Sequence, residues 1–211
     1  MGKPSEVNDK SRIQQENEAI ILPAAERVFA QKGFKGATMA AIAEDAQLPK
    51  ANLFYYFRSK QVLYKAVLDR ILHEWLKPLD AFHPQADPRQ AIVHYVNQKI
   101  AFSFEQADAS RLFAAELLQG ASAIKTVLHE RLSPLVCEKA KVLDEWVATG
   151  RILPIDSAHF FFSIWSMTQT YADFSVQVEA VLGADSGADR GRQRATQHVL
   201  TCVLRMCGFD D

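Results

Sequence analysis

Between Pro49 and Lys60 the chain reads PKANLFYYFRSK, and these residue types suit contact with a nucleic acid. Lys50 can meet a guanine edge or a phosphate, and Asn52 can pair with both edge atoms of an adenine. Ala51 stands between them, and the hydroxyls of Tyr55 and Tyr56 can grip phosphate. Ser59 is placed to cap the next helix. The first turn of that helix offers free amides and the ammonium of Lys60, together an anion site. The tyrosines could equally be core aromatics. Their closeness to Lys50 and Lys60 favours phosphate, whereas Phe57 is assigned to the core.

A second constellation lies in residues 157–182, SAHFFFSIWSMTQTYADFSVQVEAVL. Trp165, Gln169 and Asp173 recur every four residues and share one side of a helix, with Thr168 and Tyr171 beside that side. Gln169 carries a carbonyl and an amide, the edge needed to pair with a planar molecule that has adjacent C=O and N–H groups. Trp165 and Trp75 could sandwich such a ring. The competing assignment is structural: Gln169 and Asp173 would bond to neighbouring helices, and the tryptophans would be core.

Helices must position both groups, so the expected fold class is all-α. Residues 1–11 carry no apolar period and are expected to form a flexible arm. From Arg12 to Lys32, Ile13, Ile20, Ile21, Ala24, Ala25, Val28 and Phe29 recur at helical spacing. Pro23 should start the firm part of this helix or kink it, and Gly33 should close it. Thr38 is a good N-cap for a second helix buried through Met39, Ile42 and Ala43. Gln47-Leu48 makes the turn, and Pro49 suits the first position of a third helix with Leu53 inward. Two short helices about a tight turn are the form of a helix-turn-helix. The third helix would be the probe for a DNA major groove, and Thr38 joins its contact set.

A fourth helix, periodic through Val62, Leu63, Ala66, Val67, Arg70, Ile71 and Trp75, should run to Pro78. HPQADP at 83–88 is a joint. Further helices follow over 89–105, 109–119, 122–148 (interrupted near Pro134), 157–182 and 189–208. The expected domains are thus the helix-turn-helix unit at 12–60 and a larger helical ligand-binding and dimerisation unit at 61–211. The 157–182 helix is apolar on nearly every side. Paired with the last helix across a two-fold axis, it would make a four-helix homodimer core.

Charge agrees with this division. Residues 1–70 hold 11 Lys and Arg against 8 Asp and Glu, and the remainder holds 13 against 17. Only the first part is positive, as contact with phosphate requires. No run approaches ~18 apolar residues, so no membrane span is expected. The N-terminus lacks a signal-peptide pattern, which points to the cytoplasm. Cys137, Cys202 and Cys207 have no metal or disulfide spacing and are read as core thiols, with no metal and no cofactor. No GxSxG, GxxxxGK[ST] or HExxH motif occurs, so an enzyme is not expected.

GATMAAIAEDAQLPKANLFYYFRSKQVLY resembles the helix-turn-helix of TetR-type repressors at Thr38, Ile42, Ala43, Ala46, Leu53, Tyr56, Phe57, Ser59, Lys60 and Leu63. It departs at Gln47, where the family has a turn glycine, at Pro49, where it has serine, and at Phe54, where it has tyrosine. SRLFAAELLQGA, WVATGRILPID and IWSMTQTYADFSVQVEAV resemble the pyrimidine-utilisation (RutR-like) subgroup of that family. The resemblance implies a homodimeric one-component regulator on palindromic operator DNA, with a uracil- or thymine-class effector. It implies that Gln169 bonds the base, that Trp75 and Trp165 line the pocket, and that Tyr171 and Asp173 support it. The alternatives are a lipophilic effector or an effector-free architectural DNA-binding protein.

Overall fold

The structure is a computed structural model that describes residues 5–187 and 189–209, with only the backbone at residues 5–14, 184 and 185. Its chain forms two compact units. The first runs through Ile71 and takes back Leu112–Ile124; the second holds Leu72–Arg111 and everything from Lys125 on. The boundary therefore differs from the expected one at residue 60: Leu63, Tyr64, Val67 and Leu68 are core residues of the first unit. Among the described residues there is no strand, as the helical spacing demands.

In the first unit, α1 spans Ser5–Gly36. Residues 5–11, expected to be an arm, continue this helix, and residues 1–4 lie outside the described residues. The polar run after it is rich in Glu, Gln and Arg, which favour helix without an apolar face. Pro23 therefore lies inside the helix and does not start it. Gly33, at φ 66° and ψ 170°, breaks the helical path where the closing glycine was expected. Thr38 caps α2 (Met39–Asp45): its hydroxyl accepts from the Ala41 amide at 3.1 Å. At the other end Leu48 N–H donates to Ala43 O at 2.9 Å and Gln47 N–H to Glu44 O at 3.0 Å. That double closure requires a left-handed residue between them, and Gln47 has φ 54°. Next comes α3 (Lys50–Tyr56), with Pro49 as N-cap just outside the helix instead of its first residue. Ile21, Ala24, Ala25, Phe29, Ile42 and Leu53 are all fully buried between these helices.

In the second unit α4 (Lys60–Leu76) ends, and a 3-10 turn at Lys77–Ala81 follows. Asp87 caps α5 (Pro88–Glu105) by accepting from the Gln90 amide at 2.8 Å. α6 (Ala107–Leu118) begins in this unit and passes into the first at Leu112, and α7 is the single turn Lys125–Val127. A π-helical turn, Leu128–Leu132, precedes α8 (Ser133–Ala148). Pro134 has no N–H, so the bond to residue 130 cannot form. The ladder slips one residue there, with Ser133 N–H donating to Leu128 O. α9 (Ser157–Asp173) is capped by Asp156, as expected. The single helix expected over 157–182 divides at Phe174 (φ −115°, ψ 32°), and α10 occupies Ser175–Leu182. α11 is Asp189–Met206. α5 is the hub: it packs on both α9 and α11. Around it Phe82, Tyr95, Trp146 and Phe161 interlock edge-on and stacked, with centroids 5.5–6.1 Å apart.

A left-handed non-glycine residue costs ~1 kcal/mol or more. Gln47→Gly should therefore raise the free energy of urea unfolding by ~0.5–1 kcal/mol, the gain being tempered by glycine's greater unfolded entropy. No gain would mean that the turn relaxes that strain in another way.

Candidate functional site

In the first unit, α3 projects Lys50, Ala51 and Asn52 into solvent while Leu53 is fully buried. Tyr55 is 80% exposed, and Tyr56, half-buried, holds it edge-on with centroids 5.0 Å apart. The Lys50 ammonium lies 5.8 Å above the Phe54 ring. Phe57 is buried, as assigned. The Thr38 hydroxyl accepts from Ala41 N–H, which leaves its own proton free to donate outward. These side chains form one polar, aromatic-flanked helix face that can meet base edges and phosphates.

Lys60 does something else. Its ammonium donates to Phe34 O at 2.7 Å, Ala37 O at 2.8 Å and Lys35 O at 3.3 Å, and lies 4.6 Å above the Phe34 ring. A lysine has three donors, and all three are engaged by carbonyls just past the break in α1. In this structure Lys60 ties the end of α1 to the start of α4, an engagement beside the phosphate contact expected of it. Ser59 does cap α4, accepting from Val62 N–H at 3.3 Å.

In the second unit the structure gathers a buried polar group. Lys99 of α5 is only 3% exposed, and its ammonium sits 4.4 Å above the ring of Trp75. Burial pushes its pKa down to about 7, with the charge of Asp173 acting the other way. The Asp173 carboxyl is raised by burial, against the hydrogen bond from the Ser110 hydroxyl at 2.5 Å and the charges of Lys99 and Arg111. Ser103 donates to Thr168 O at 2.8 Å and joins α5 to α9. Of the residues expected to hold a ligand, Trp75 and Asp173 are therefore linked through Lys99. Gln169 is half-buried, and its amide makes no hydrogen bond to a described residue.

The other two stand apart from this group. Trp165 donates its Nε1–H to the Tyr95 hydroxyl at 2.7 Å and packs against Phe162. Tyr171 stacks on Phe104, and lines a shallow cavity of about 270 Å³ with Thr170, Phe174 and Val178. Each expected tryptophan thus has neighbours of its own. Among the described residues no group of three or more His, Cys, Asp or Glu could hold a metal. No helix among them is long and apolar enough to cross a membrane.

Residues 21–67 match the family model of bacterial regulatory proteins, tetR family, and residues 68–210 match that of the YcdC-like protein, C-terminal region. The chain is 45% identical over 175 residues to the HTH-type transcriptional regulator RutR of Escherichia coli, covering 83% of this chain and 82% of RutR. The chain belongs to the TetR family. A TetR-like transcriptional regulator from Rhodococcus sp. superposes with a TM-score of 0.64 at 21% identity, covering 90% of this chain and 94% of that one. AibR, solved in complex with isovaleryl coenzyme A and operator DNA, superposes with a TM-score of 0.65 at 15% identity, covering 88% and 97%. The TetR-family relatives are transcriptional regulators, and none of these three is an enzyme.

Within the TetR-family architecture, the residue that the spacing argument missed is Lys99. The signal was present: Ile92, Tyr95, Val96, Lys99, Ile100 and Ser103 form one helical stripe, and a lysine in an otherwise apolar stripe marks either a pair or a site. Ser110 carried no such signal, because serine at a helix start is common.

Three outcomes follow from this geometry. Lys60→Met should lower stability by ~1–3 kcal/mol, the usual worth of hydrogen bonds from a charged donor. Tyr55→Phe should leave melting unchanged and weaken binding to DNA. Lys99 has a folded pKa of about 7, below its ordinary 10.5. The native state therefore holds fewer protons than the unfolded state between those values, and stability rises with pH there. Cys207, pushed up by burial to about 12, and the raised Tyr64 and Tyr95 act in the opposite direction above about 9. Urea unfolding at pH 7, 8 and 9 should show the rise in the wild type and a flat profile in Lys99→Met.

Proposed function

We propose that this TetR-family regulator works as a cytoplasmic homodimer on palindromic operator DNA, and that a pyrimidine-like molecule of the uracil or thymine class controls its affinity. DNA contact falls to Lys50, Ala51, Asn52, Tyr55 and Tyr56 of α3, with Thr38 at the start of α2. A dimer doubles α3, which a palindrome requires. Exposed Phe162, Phe174, Val176, Val181 and Leu182 on α9 and α10 support pairing through that surface.

The observation that carries the effector assignment is Gln169. Its amide and carbonyl are unengaged by described residues, in the segment IWSMTQTYADFSVQVEAV that resembles the pyrimidine-utilisation regulators. A free amide edge pairs with the C=O and N–H of a pyrimidine. The buried polar group around Asp173 and Trp75 supplies the remainder of the site. α4 begins at Lys60 and carries Trp75 near its end. An effector that binds one position of α4 better than another shifts the population of DNA-competent dimers by that difference in affinity. The shallow apolar cavity at Tyr171, Phe174, Val178, Val181 and Leu182 favours a second reading, a lipophilic effector.

Melting with a panel of nucleobases, nucleosides and fatty acids separates the two. A ligand at ~100 times its Kd adds ~2.7 kcal/mol. Uracil or thymine should raise the melt, and Gln169→Ala should lose that rise. A rise with fatty acids alone, unaffected by Gln169→Ala, would establish the lipophilic reading. No rise with any small molecule would leave an architectural DNA-binding protein.

A further inference from the structure

Among the described residues three lysines are not exposed, and two of them have hydrogen-bond acceptors. Lys60 donates to three backbone carbonyls. Lys139, 8% exposed, donates to Glu138 at 3.0 Å. Lys99 is more deeply buried than either, yet no described residue offers its ammonium a hydrogen-bond acceptor within reach. Its interactions are the face of Trp75 at 4.4 Å and the through-space charge of Asp173.

The polar groups near it are engaged with one another. Asp173 Oδ1 accepts from Ser110. The Ser103 hydroxyl donates to Thr168 O at 2.8 Å, with Lys99 O also 3.2 Å from it, and the Thr168 hydroxyl donates to Ile164 O at 2.8 Å. Buried donors almost always have partners, and an ammonium has three. A lysine kept only for the fold would sit in hydrogen-bond contact with the nearest carboxylate. Here that carboxylate accepts from a serine, and no described residue supplies the lysine with an acceptor.

We infer that Lys99 is a ligand-binding residue: its ammonium donates to a carbonyl oxygen or an anionic ring atom of a planar amide or imide effector. This rests on the pyrimidine-like effector proposed above, and adds the donor that such a ring's oxygen needs. It also changes the part given to Trp75, whose ring face holds the lysine instead of stacking on the base. Gln169 and Lys99 then divide the work. The glutamine reads the adjacent C=O and N–H edge, and the lysine demands an acceptor oxygen. Ring analogues that lack that oxygen are excluded because they would leave the ammonium buried and unpartnered.

The test is Lys99→Met in the full chain, read by melting without ligand at pH 7.5 and by calorimetric titration with uracil and thymine. Methionine keeps the length and can pack on Trp75. A site residue and a fold residue then give opposite signatures. Removing a buried amine that must lose its proton or its hydration on folding should raise the melting temperature, while affinity falls by ~30-fold, as expected for a hydrogen bond to a charged group. A variant that melts lower or does not fold overturns the inference, because the lysine would then support the fold. Wild-type affinity retained by Lys99→Met overturns it as well, and leaves the pyrimidine effector standing. A wild type that binds neither base removes the effector reading, and this inference with it.

Discussion

A chain built only of helices must satisfy the amides and carbonyls left over at every helix end, and that constraint organises this molecule. Thr38, Ser59, Asp87 and Asp156 each take an amide at the start of a helix. Carbonyls are harder to close, because few side chains donate to them. The first unit uses two devices for it. Gln47 turns left-handed so that Gln47 and Leu48 can reach back into α2, and this aims α3. Lys60 reaches into the carbonyls beyond the break in α1. The exposed row Lys50, Ala51 and Asn52 therefore owes its presentation to residues outside α3.

The second unit answers a different demand. Its aromatic core of Phe82, Tyr95, Trp146 and Phe161 would be stable without polar groups at its edge. Lys99 and Asp173 are carried at a cost, since burial works against the charge of each. Groups that oppose folding and gather in one place are a sign of function, because a merely stable protein would have replaced them with apolar residues. The division of α9 and α10 at Phe174 falls one residue after Asp173. Asp173 of this polar group thus sits at a helix end.

Family and fold do not choose the effector. AibR superposes closely at 15% identity, and an architecture that holds at such low identity is compatible with many ligands. On the reading proposed above, the choice lies with a few side chains: a glutamine unengaged by described residues, a buried lysine and a carboxyl held by a serine.

The sequence by itself determined the all-helical class, the caps at Thr38, Ser59 and Asp156, the turn at Gln47, the inward Leu53 and Phe57, and the TetR resemblance. Each of these is local: it depends on spacing of three or four residues, or on one residue's backbone preference. It misjudged residues 5–11, the division at Phe174 and the extent of the first unit, where neighbours override pattern. Only the tertiary structure decided what the lysines do. Lys60 and Lys99 look alike in a sequence, as cations on helices. Lys60 meets three carbonyls from more than twenty residues away, and Lys99 meets a tryptophan face and a carboxyl's field but no acceptor. A long side chain's role depends on where its tip ends, and that is fixed by which distant helices pack beside it.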